Sequence, residues 1–103
     1  MIRLQRKELV QTWRRLADWA VMNGDGQSEP FQEVKLRATL KELHLEAEAA
    51  FLIGEIELRI VQNDLHTTEA ISRTLLQVLH EQGYVIEAEE FEDHQRTQQY
   101  KFA

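Results

Sequence analysis

Residues 34–60 carry two incompatible instructions, and whichever wins decides the architecture. By residue type the stretch is helical, being rich in Ala, Glu, Leu, Lys and Arg, which are strong helix formers. By pattern it is extended. Val34, Leu36, Ala38 and Leu40 alternate with Lys35, Arg37, Thr39 and Lys41. After a slip of one residue, Leu43, Leu45, Ala47, Ala49 and Phe51 alternate with His44, Glu46 and Glu48. Ile56, Leu58 and Ile60 then alternate with Glu55, Glu57 and Arg59. Wound as a helix, Val34, Ala38 and Leu45 would face away from Leu36, Leu40 and Leu43. A helix apolar on opposite sides serves a small domain poorly. The period of two therefore predicts that residues 31–62 are mostly strand.

Charge pairing points the same way. Folding the chain back at Lys41-Glu42 pairs Leu40 with Leu43, Ala38 with Leu45 and Leu36 with Ala47. The other face pairs Arg37 with Glu46 and Lys35 with Glu48, as cross-strand stabilisation requires. The turn itself opposes this, because Lys-Glu is a poor two-residue hairpin. A bulge at the same place in one long strand explains the slip equally well.

The flanks read more simply. Residues 4–22 are predicted helical, with Leu9, Trp13, Leu16, Ala17 and Ala20 on one stripe. Asn23-Gly24 ends that helix and residues 23–30 form a loop. Residues 67–82 are a second helix with Ile71, Leu75, Val78 and Leu79 buried. Asp64, Thr67 or Thr68 caps its start, and Gly83 follows its end. Residues 84–91 and 96–103 pair as a closing hairpin, Ile86 with Phe102, Ala88 with Tyr100 and Glu87 with Lys101. The fold class is then α+β: N-terminal helix, antiparallel strands, second helix, C-terminal β-hairpin. The alternative is three helices with a short C-terminal hairpin. At 103 residues the chain is expected to be a single globular domain. Its element order is similar to that of small acidic secretion chaperones, dimers that hold extended partner segments. No residue motif accompanies that likeness.

The chemistry the chain lacks narrows its function. It has no cysteine, hence no disulfide, thiolate metal site or thiol catalysis. Its four glycines form no phosphate-binding loop. Asn23-Gly24-Asp25-Gly26 lacks the spaced carboxylates of a calcium loop. His44, His66, His80 and His94 lie apart and read as polar surface residues, without a metal-ligand spacing. Ser28 and Ser72 sit in no nucleophile elbow. Glu46, Glu48, Glu55 and Glu57 are expected on the solvated face of the sheet, which lacks the burial that acid–base work by a carboxyl needs. No catalytic residue, cofactor or bound metal is expected. The longest apolar run, residues 49–53, is far short of a membrane span, and the N-terminus lacks a signal-peptide pattern. A cytoplasmic protein without a membrane partner is expected.

The formal net charge is −6, unevenly spread. Residues 1–22 hold five basic residues against two acidic ones, and the remainder seven against sixteen. Such a chain is ill suited to holding nucleic acid, which needs clustered Lys and Arg. Between Arg73 and Arg96 there is no cation. Glu87, Glu89 and Glu90 in that stretch are candidates for meeting a basic partner. Trp13 lies in the helical stripe and is assigned to the core. Trp19 falls off it, beside Arg15 and Met22, and these three types favour recognition surfaces. Losing Trp19 should then cost the isolated fold about 1 kcal/mol or less.

The expected function is a non-enzymatic protein-binding module, an adaptor, chaperone or inhibitor, with a homodimer as one arrangement. One alternative is an acidic nucleic-acid mimic that neutralises a basic DNA-binding protein. The other is a small acid–base enzyme with a pocket at an oligomer interface.

Overall fold

A computed structural model describes residues 14–98 of the chain. Backbone at residues 14–16 is helical. Two short strands follow, β1 (Ala20–Met22) and β2 (Ser28–Pro30), then helix α1 (Glu33–Glu42) and a 3₁₀ turn (Glu46–Glu48). Three longer helices complete the described chain: α2 (Ala49–Gln62), α3 (Thr68–Glu81) and α4 (Val85–Gln98). The fold is mostly helical with a small two-stranded antiparallel sheet. Helices adjacent in sequence pack together, α1 on α2, α2 on α3 and α3 on α4. One apolar cluster runs from Leu16, Trp19 and Val21 through all four helices to Phe91. No helix among the described residues is long and apolar enough to cross a membrane.

The predicted meander over 31–62 is corrected to two helices separated by the 3₁₀ turn. The alternation was real but did not report burial. Leu36 and Leu40 are buried at i, i+4, while Val34 is 67% exposed and Ala38 is exposed. In α2 the buried set is Ala49, Leu52, Ile53, Gly54, Ile56, Glu57, Ile60 and Val61, and all but Gly54 follow the i, i+3, i+4, i+7 rule. Ala47 and Phe51, counted among the apolar positions, are exposed. Alanine hides little apolar area and is the best helix former, so leaving it in water costs little. Propensity thus overrides a pattern that small side chains had imitated.

The closing hairpin is also corrected. Residues 85–98 form α4, with Ala88 and Phe91 buried three apart and Val85 and Ile86 exposed. Glu, Gln and Ala favour this helix, and the Glu92–Gln95 stretch expected to turn lies inside it. Residues 99–103 lie outside the described residues, so the second expected strand is seen only as helix, at residues 96–98. With one strand pair near the start and none after it among the described residues, the likeness of element order to secretion chaperones lapses.

The predicted first helix is shorter at its C-terminal side. Helical backbone stops at Leu16, and the chain turns through Ala17 and Asp18 into β1. Residues 4–13, with Trp13, lie outside the described residues. Asn23-Gly24 belongs to a hairpin, not a helix end. Asn23 pairs with Gln27 across the turn, its N–H donating to the Gln27 carbonyl at 2.8 Å, and Gly26 donates to the Asn23 carbonyl at 3.0 Å. Gly26 adopts φ 81°, the left-handed residue that closes a three-residue hairpin loop. The Asn23 Oδ1 accepts from the N–H groups of Asp25 and Gln27.

Helix α3 is as expected. The Thr67 side chain accepts from the Ala70 N–H at 3.1 Å, and Ile71, Leu75, Val78 and Leu79 are buried.

Three helices end in one motif. Beyond α1, the Leu45 N–H reaches the Leu40 carbonyl and the His44 N–H reaches Lys41. Beyond α2, Leu65 reaches Ile60 and Asp64 reaches Val61. Beyond α3, Tyr84 reaches Leu79 and Gly83 reaches His80. This is the paired-bond C-cap with a left-handed residue at its corner. The corners are His44 at φ 63°, Asp64 at φ 54° and Gly83 at φ 87°. Only the third is glycine, which tolerates that region freely. We therefore expect His44→Gly to stabilise the fold by about 0.5–1 kcal/mol and Gly83→Ala to destabilise it by about 1 kcal/mol. Chemical denaturation of both variants checks this pair of opposite signs.

Arg59 of α2 links two helices. It lies 3.9 Å from Glu55 and makes a charged hydrogen bond to Glu81 of α3. That bond holds the Glu81 carboxyl below its ordinary value of 4.5. The folded-state pKa is lowered, so the contribution is present above about pH 4.5 and disappears as pH falls through the folded value. Glu81 is well exposed, so a double-mutant cycle on Arg59 and Glu81 should return only about 0.2–1 kcal/mol. The coupling should vanish in acid.

Candidate functional site

Two neighbouring features stand out around the hairpin. The first is a groove between the hairpin, α1 and the start of α3. Its volume is about 370 Å³ with the open mouth included. Val21, Phe31, Leu36 and Ile71 supply apolar walls, and Glu29, Gln32, Lys35 and Thr68 supply polar groups. The Lys35 Nζ lies 3.2 Å from the Glu29 Oε1. Gln32 precedes the first turn of α1 and Thr68 opens α3, so two helix amino ends border the groove.

The second is the seam where β1 meets the α2–α3 connection. The Trp19 and His66 rings stack with centroids 4.3 Å apart and planes 8° from parallel. The Trp19 Nε1–H donates to the Leu65 carbonyl at 2.6 Å. The His66 Nδ1 lies 2.7 Å from the Ala20 carbonyl, and its Nε2 lies 2.8 Å from the Asp64 carboxylate. The Met22 N–H donates to the His66 carbonyl at 2.8 Å. The Arg15 guanidinium lies 5.9 Å from the Trp19 ring centroid, within cation–π range. The Phe31 N–H donates to the Trp19 carbonyl, so the seam and the groove share the hairpin.

The expected surface residues are placed unequally. Trp19, expected off the apolar stripe, is 7% exposed and belongs to the core. The helix stops at Leu16, so a phase of 100° per residue no longer locates a side chain three residues later. Arg15 is exposed beside it, and Met22 is 50% exposed on β1. Glu89 and Glu90 are exposed and Glu87 half-buried on α4, which packs on α3 rather than on the hairpin. The structure therefore sets Arg15 beside Trp19 and ties Met22 to the same seam by its backbone N–H, and leaves the acidic trio elsewhere.

Sequence reasoning missed the groove and the seam. Val21, Glu29, Phe31 and Lys35 converge only once the hairpin is known. Its signal was present in Asn23-Gly24-Asp25-Gly26 between Val21 and Pro30. Asp64 and His66 were read as a helix cap and a surface residue. Glu57, expected on a solvated face, is 2% exposed, but it does not line the groove. Among the described residues no three His, Cys, Asp or Glu side chains gather as a metal site. Compared with known proteins, the chain matches no family model, no curated protein and no solved structure.

Proposed function

We propose that the chain is a non-enzymatic protein-binding module, an adaptor, chaperone or inhibitor of the cytoplasm, that receives its partner at the hairpin groove. The observation that supports this reading is the groove itself. Its apolar walls and small volume suit one or two inserted side chains, and Lys35, Gln32 and Thr68 offer a polar rim. Val34 and Met22, both largely exposed, lie on the elements that form its sides. An apolar centre with a polar rim is the usual anatomy of a protein contact. Arg15 extends the surface past the seam. A second copy of the chain is one arrangement of such a contact.

A second reading is favoured by the two helix amino ends and Lys35 at the same groove. Together with Phe31 they suit a small ligand with an anionic group and a flat apolar body. One experiment separates the two. Wild type and Thr68→Arg, which fills the groove mouth, are compared by sedimentation and by cross-linked capture from the native host. Thermal melts with ATP, AMP and inorganic phosphate run alongside. The protein-binding reading expects a discrete partner or self-association that Thr68→Arg removes and that salt weakens little. The ligand reading expects a saturable melting shift with one of the probes. Partner capture that Thr68→Arg leaves unchanged would overturn the groove as the docking site.

A further inference from the structure

We propose that His66 is a protonation-controlled clamp that holds the β1–β2 hairpin, one wall of the groove, against the helical body. Both His66 ring nitrogens face acceptors, the Ala20 carbonyl at 2.7 Å and the Asp64 carboxylate at 2.8 Å. A neutral imidazole has one N–H donor and one lone pair, so it can satisfy only one of them. Imidazolium donates to both. The Ala20 bond joins β1 to the α2–α3 connection, 46 residues apart, and the Asp64 bond, within that connection, fixes the ring that makes it. The same charge sits over the face of Trp19, 4.3 Å between centroids, where an indole attracts a cation. Deprotonation turns a lone pair toward one acceptor and removes the cation from the ring.

The surroundings set the direction. The Ala20 carbonyl first, and then the Asp64 carboxylate, hold His66 above its ordinary value of 6.5. From β1 no charged side chain faces the ring, since that strand is Ala-Val-Met. From the α2–α3 connection the facing charge is Asp64. From the segment before β1 it is Arg15, whose guanidinium lies 5.9 Å from the Trp19 ring centroid. The folded-state pKa is raised, so the clamp is fully engaged below about pH 6.5 and releases as pH rises through the folded value. Asp64 also explains a non-glycine in a left-handed corner. Its carboxylate does what glycine cannot.

What releases is local. Beside the clamp, the hairpin is tied to the helical body through the Trp19 indole bond to Leu65 and the Met22 N–H bond to His66. Held by a neutral ring, which no longer donates to Asp64 whenever it donates to Ala20, the hairpin opens more often while α1–α4 stay packed. The groove then loses the wall made by Val21, Glu29 and Phe31. This inference stands whatever the groove binds, because it is tested on the chain alone.

The test is an NMR titration from about pH 5 to about pH 9 on wild type, His66→Gln and Asp64→Asn. In wild type the His66 ring protons should titrate with a midpoint above 6.5. The Met22 and Phe31 amides and the Trp19 indole N–H should shift with that same midpoint. Their hydrogen exchange, corrected for base catalysis, should rise about threefold across it, the scale of an exposed charged contact. Leu75 and Leu79 should show no such step. In His66→Gln the step should vanish. In Asp64→Asn, which keeps a residue suited to the left-handed corner, the His66 midpoint and the hairpin step should fall together. That variant carries the test if His66→Gln frees the hairpin at every pH. A His66 midpoint at or below 6.5, or a hairpin step that ignores the His66 midpoint in Asp64→Asn, would overturn the clamp.

Discussion

Trp19→Ala is expected to destabilise the chain by about 3–5 kcal/mol, the range for emptying a large aromatic site in a core. Three losses combine. The indole is 7% exposed within the apolar cluster, so truncation leaves a cavity beneath the hairpin. The Leu65 carbonyl loses its Nε1–H donor. His66 loses the ring it stacks on. Trp19→Phe separates these contributions, because it keeps an aromatic ring and much of the volume while removing the N–H donor. It should cost less than half as much. Urea denaturation of both variants measures the difference. A Trp19→Ala loss near 1 kcal/mol would mean that the side chain is a surface residue after all.

The second large effect is a contrast within α1. Leu40→Ala should cost about 2–5 kcal/mol, and Val34→Ala should stay within about 0.5 kcal/mol of wild type. Leu40 is fully buried and Val34 is 67% exposed. Both occupied the same face of the strand that the alternation had suggested. A strand would make the two substitutions comparably harmful. A helix separates them, because six residues advance the phase by about 600°, or 240° around the axis. The same melts that measure stability therefore report the period.

These two experiments also mark where the sequence was legible. Helix α3 could be read because every signal agreed: a buried stripe, a threonine cap and a terminal glycine. Helices α1 and α2 could not, because two of their end signals were disguised. His44 and Asp64 occupy corners where glycine would have announced a stop. Without those stops the stretch looked continuous, and exposed Ala38 and Ala47 completed a false alternation. The stripe from Ala49 to Val61 was present throughout, but it competes with the alternating reading at Ile56 and Ile60, which satisfy both. The hairpin was missed for a simpler reason. An asparagine–glycine pair serves helix ends and hairpin turns alike, and the preceding stripe had favoured the former. The site followed the hairpin. Trp19 could be assigned to a surface only while residues 17–22 were helical.

The pairing of sequence neighbours, α1 with α2, α2 with α3 and α3 with α4, has a kinetic consequence. Contacts that close short loops form early and fast, because little chain entropy is lost in making them. The helical layer can therefore assemble as a sequence of local hairpins of helices. The bonds from Trp19 to Leu65 and from Ala20 to His66 are different, each closing a separation of 46 residues. In folding they are expected to form after the body that receives them. Mutations at this seam should then speed unfolding while leaving the folding rate nearly unchanged, and mutations in the α2–α3 contact should do the reverse. A chain built this way completes its most local half first and adds its N-terminal strand pair as the final layer.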